Sequence, residues 1–127
     1  MSISFRLAPT GDGLRKLLGP LEAAIMPLLW HSGPATAKTI HRQLIQMYRD
    51  DIAYTTVMTT MSRLAEKGIL SREQTTSTRG RAGHDVYAAV TNEATFIDHA
   101  ITDVVQSLLR DYPAQVRRAL GVRHGHI

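Results

Sequence analysis
Four threonines crowd one short segment, "DIAYTTVMTTMSRLAEKGIL", at Thr55, Thr56, Thr59 and Thr60. The segment ends as a helix ends, with Lys67 in the last turn and Gly68 as the stop. Threonine is nevertheless β-branched and a mediocre helix former. At about 100° per residue, Tyr54, Val57, Met61, Leu64 and Ala65 share one arc of the helix. The four threonines, Arg63, Glu66 and Lys67 share the opposite arc. A plain solvent face would favour Glu, Lys, Gln and Ala. A short side chain with one methyl and one hydroxyl suits the major groove of DNA, where it can touch a thymine methyl and hydrogen-bond a base edge or a phosphate. In a helix-turn-helix, the early residues of the second helix reach the bases. The spacing therefore predicts base contacts from Thr55, Thr56, Thr59 and Thr60, and phosphate contacts from Arg63 and Lys67. Threonine merely tolerated on a surface helix would leave the same residues; the order of the surrounding elements favours groove reading.

A second group lies downstream in "STRGRAGH", with Arg79, Arg81 and His84 and no acid before Asp85. Gly80 and Gly83 permit close backbone approach. The expected role is a wing whose cations meet phosphate or enter a minor groove. A solvated hairpin tip is the competing reading. Lys38 completes the expected phosphate set. Other chemistries find no support. His84 and Asp85 are neighbours on an expected strand, so they point to opposite faces and make a poor catalytic pair. No nucleophile motif, Gly-rich phosphate loop or paired carboxylate accompanies them, and no enzyme is expected. The chain has no cysteine, and His124 and His126 in the terminal "RHGHI" lack a third ligand, so neither a metal nor another cofactor is expected. The net charge of +4 agrees with a polyanionic partner.

These residues need elements to position them. A chain of 127 residues, 43% apolar, makes one compact domain with an appendage. Residues 1–16 lack periodicity and read as a flexible arm. "LGPLEAAIMPLLWHSG" reads as a helix with Pro20 in its first turn, Leu21, Ala24, Ile25, Leu28 and Leu29 on one face, and Pro27 as an awkward interior residue. Trp30 is expected to anchor this helix to the wing. "TAKTIHRQLIQMY" is a second helix, capped by Thr36, with Ile40, Leu44 and Met47 inward and His41 on a solvated face. The threonine helix follows, from about Ala53 to Lys67. Met26, Met47, Met58 and Met61 are all expected at core-type positions. "ILSRE" and "DVYAAV" form a hairpin around a polar loop. Three helices and a hairpin give a mainly α fold with a small β-hairpin wing, a winged helix-turn-helix over 17–90. From Thr91 to about 120 runs a helical region. Ile97, Ala100, Ile101, Val104, Val105, Leu108 and Leu109 form a stripe too wide for so small a domain, and a second copy of the same helix is its simplest cover. Residues 121–127 read as a flexible tail. No apolar run reaches transmembrane length and no signal-peptide core is present, so a cytoplasmic protein without membrane insertion is expected.

"LGPLEAAIMPLLWHSGPATAKTIHRQL" followed by "AYTTVMTTMSRLAEKGIL" resembles the penicillinase repressor family, the BlaI/MecI/CopY-type winged-helix repressors. The specific matches are the "L-E-x-x-x-M-x-x-L-W" helix and the "Y-T-T-V-M-T" start of the recognition helix. The resemblance implies a homodimer on a pseudo-palindromic operator, with a C-terminal helical dimerisation region. It puts base reading on Thr55, Thr56 and Thr59 and a helix-end phosphate contact on Arg63. It also brings a membrane sensor metalloprotease into view as a partner. The chain departs from the family at Pro27, in a longer wing loop, and in lacking both a cysteine-rich copper motif and the Asn-Phe dipeptide cut in β-lactam-responsive repressors. The reading is thus a DNA-binding transcriptional repressor. A ligand-responsive MarR-type regulator and a winged-helix protein-interaction module stand as alternatives.

Overall fold
The computed structural model describes residues 12–48, 51–75 and 84–121. Arg79, Arg81, His124 and His126 lie outside the described residues. The described chain opens with a short 3-10 turn at Gly13–Lys16, a stretch expected to belong to a flexible arm. Leu14 packs on the core and Leu17 and Leu18 are buried, which draws the turn onto the domain.

Helix α1 spans Pro20–Ser32, with Pro20 at its first position as the sequence suggested. The Glu22 carboxylate accepts a hydrogen bond from the Gly19 N–H at 3.0 Å and so caps the helix start. Pro27 is accommodated inside a continuous helix. Gly33, at φ 85°, ends it in a conformation that L side chains rarely adopt. Ile25, Met26 and Leu29 face the core.

Helix α2 covers Ala37–Tyr48. Its cap is Thr36, whose Oγ1 accepts from the Thr39 N–H at 3.2 Å. Ala37, Ile40 and Leu44 are buried, but Met47 is 58% exposed. The inward repeat continues one turn beyond the surface it packs on. Helix α3 covers Tyr54–Glu66, with Val57, Met61 and Leu64 inward. Gly68, at φ 83°, turns the chain out of it. Met58 lies outside the apolar arc and is 42% exposed, which corrects its expected core position.

Three antiparallel strands complete the unit, in the order β1-β3-β2. Strand β2 is Leu70–Gln74 and β3 is Asp85–Ala89, and together they form the expected hairpin. Strand β1 was not expected: Ala35–Thr36 pairs with β3, Ala35 opposite Tyr87 and Thr36 opposite Val86. Two residues are too few to show strand periodicity. The helices α2 and α3 with this sheet make a winged helix-turn-helix.

Helix α4 spans Glu93–Asp111, capped by Asn92, whose Oδ1 accepts from the Thr95 N–H at 2.8 Å. Helix α5, Pro113–Ala119, packs on α4 after a break at Tyr112. Phe96 and Ala100 of α4 belong to the same core as the three-helix domain. Trp30 closes the joint. Its Nε1–H donates to the Thr91 carbonyl at 2.9 Å and its ring lies 5.7 Å from that of Phe96. The expected Trp30 contact was with the wing; the observed one is with the start of α4. No helix among the described residues is long and apolar enough to cross a membrane.

Candidate nucleic-acid interface
Burial of Val57, Met61 and Leu64 fixes the rotation of α3 and turns the opposite face outward. Thr55, Thr56 and Thr59 are exposed on that face, and so is Arg63 in the last turn. Thr60 differs from the other three. It is half-buried, and its hydroxyl donates to the Thr56 carbonyl at 2.8 Å. Its proton is therefore committed to the helix backbone, leaving the oxygen as an acceptor.

The start of α3 is braced from α2. His41 donates from Nε2 to the Ile52 carbonyl at 2.7 Å and packs edge-on against Tyr54, with ring centroids 5.7 Å apart. This corrects the expectation of a solvated histidine. The ring ties α2 to the chain that enters the threonine helix. Lys38 is exposed near the start of α2.

Lys67 behaves otherwise than expected. Its Nζ lies 3.0 Å from Glu22 Oε2 in a partly buried ion pair. Glu22 thus caps α1 with one oxygen and holds the end of α3 with the other. Lys67 is a strut between helices α1 and α3 rather than an unengaged phosphate ligand. The partner of Lys67 is 45 residues away in sequence, beyond the reach of any local pattern.

At the wing, the Thr75 N–H and Oγ1 both donate to the His84 carbonyl, at 3.0 and 2.8 Å. These bonds carry the hairpin one pair beyond the strands and leave the His84 side chain exposed. One cation was overlooked in the sequence. Arg72 of β2 lies with its guanidinium 5.2 Å from the centroid of the Tyr87 ring. Its Nε is 3.5 Å from Asp85 Oδ2 and its Nη2 bonds Ser62 Oγ of α3. A run of polar, exposed residues along a strand gives no sign that one of them reaches back to a helix.

The stripe on α4 divides into two parts. Ala100 is 0% exposed, and Ile97 packs on the core of its own chain. Ala100 is therefore not available at an interface, because the winged domain already covers it. Ile101 is 50% exposed and Leu108 is also exposed, with Val104, Val105 and Leu109 half-buried beside them.

A family model described as penicillinase repressor matches residues 18–122. Two curated relatives, both transcriptional regulators BlaI from strains of Mycobacterium tuberculosis, are 46% identical over 54 residues. The matched segment is 42% of this chain and 38% of each relative's length.

Proposed function
This chain belongs to the penicillinase repressor family, a family of transcriptional repressors, and we propose that it binds a pseudo-palindromic DNA operator as a homodimer and blocks transcription by occupying it. The observation that carries this reading is the outward face of α3. Three short hydroxyl side chains, Thr55, Thr56 and Thr59, stand early on a helix whose other face is locked in the core. Placed in the major groove, they reach base edges and thymine methyls, while Arg63 and Lys38 meet the flanking phosphates. A module made for protein contacts alone has no need of this combination. The exposed part of the α4 stripe supplies the second half of the reading: joined there, two subunits present two recognition helices to two half-sites.

The test begins with an operator selected from a random duplex library by the wild-type chain. Thr56→Ala and Thr59→Ala should each weaken operator binding by about 1–3 kcal/mol and leave binding to unrelated duplex unchanged. Arg63→Ala should weaken both and lower the salt slope by about one unit. Threonine variants that bind the operator like wild type would sink the groove-reading role of α3.

A further inference from the structure
We propose that Arg72 is a phosphate-binding residue, held ready at the root of the wing for the DNA strand that runs between the two grooves. The inference rests on the DNA-binding reading above. It starts from the place of Ser62 on α3. Ser62 stands three residues after Thr59, on the same ridge of the helix. Arg72 bonds its hydroxyl, so the guanidinium lies about one turn beyond the base-reading residues. The other neighbours of Arg72 belong to the wing, Asp85 and Tyr87 of β3. Arg72 therefore occupies the corner between recognition helix and hairpin.

That corner has a fixed counterpart on a duplex. With α3 in the major groove and the wing along the neighbouring minor groove, the sugar-phosphate chain that divides the grooves must pass between them. Among the described residues, the side chain that joins both elements there, Arg72, is a cation. A guanidinium has five N–H donors. Nε faces Asp85 and one Nη2 hydrogen is taken by Ser62. Five less two leaves three, and the side chain is exposed. Asp85 offsets part of the charge, and Glu66 of α3 borders the same corner. The carboxylate at 3.5 Å, the ring and the serine together restrict the rotation of a long side chain. Less freedom is then lost when a phosphate oxygen is bound. A planar fork with unengaged donors also matches phosphate geometry better than a lysine would.

The experiment measures binding of the full chain to a short mixed-sequence DNA duplex at several salt concentrations. The variants are Arg72→Gln, Arg72→Met and Arg72→Lys, each checked for a cooperative thermal transition. Arg72→Met keeps an unbranched stem across Tyr87 and serves if Arg72→Gln does not fold. Loss of the charge should reduce the slope of log affinity against log salt by about 0.9, and Arg72→Lys should retain it. Neutral methylphosphonates scanned through a selected operator supply a second readout. At one position per half-site the substitution should weaken wild type and leave the neutral variants unaffected. An unchanged slope in folded neutral variants, even with lower affinity, would show a strut and overturn the inference. So would the absence of any such methylphosphonate position. A wild-type chain whose DNA affinity ignores salt would overturn the DNA-binding reading itself, and this one with it.

Discussion
The Trp30 indole joins two parts of the molecule through one hydrogen bond and one ring contact. Replacing it by phenylalanine keeps an aromatic ring but strips the Thr91 carbonyl of its partly buried donor. Trp30→Phe should lower the unfolding free energy by about 1–2 kcal/mol in urea titrations. Operator affinity at low denaturant should stay as it is, because the bond involves none of the exposed residues of α3. A variant with wild-type stability would mean that water replaces the lost donor fully. At this scale, what was legible in the sequence was local. Thr36 as a cap, Gly68 as a stop and the outward threonines all follow from neighbours within a turn. The ion pair of Lys67 was not legible because its partner, Glu22, sits on another helix. His41 was misread as solvated, since Ile52 reaches it only when the chain folds back after α2. The motif "L-E-x-x-x-M-x-x-L-W" now has a residue-level account. Glu22 caps and braces, Met26 and Leu29 fill the core, and Trp30 holds α4.

Among the elements, α4 has two duties along its length. Its first two turns belong to the winged domain through Phe96 and Ala100. Only from Ile101 onward does it offer an exposed apolar edge. A chain cut after Asn92 therefore loses a fully buried aromatic ring. Large-to-small losses of that kind cost about 3–5 kcal/mol, against a total of about 5–15 kcal/mol for an ordinary domain. The fragment ending at Asn92 should melt without a cooperative transition, followed by circular dichroism. The fragment ending at Thr102 should melt cooperatively. Equal cooperativity in both would show that Phe96 contributes little. The helical periodicity of α4 was plain in the sequence, but its division was not. An apolar stripe records that a face is covered, not whether the cover comes from the same chain. The two-residue strand β1 was missed because its pairing to β3 leaves no alternation to read.

For the whole molecule, the exposed half of α4 is where a second subunit would sit. Ile101→Asp together with Leu108→Asp places charge on that edge and spares Phe96 and Ala100. The double variant should sediment as a folded monomer. Its operator affinity should fall by at least tenfold, because two linked half-site contacts become two separate events. A variant that stays dimeric and binds normally would put the interface elsewhere. The order in which the chain leaves the ribosome adds a constraint on such a repressor. Strand β1 pairs at Ala35 with Tyr87, a separation of 52 residues (87 less 35), and the core closes only with Ala100. Contacts so distant in sequence form late, after the loop between them has been closed. Helices α1 and α2, which brace the recognition helix through Glu22 and His41, precede it in the chain, but the strands and the Phe96 ring that complete its core follow it. A nascent chain halted within the wing carries its threonines on a domain whose core is still open. The winged domain closes its core only once the first turns of α4 have emerged, so completion of the fold immediately precedes synthesis of the edge that would recruit a second subunit.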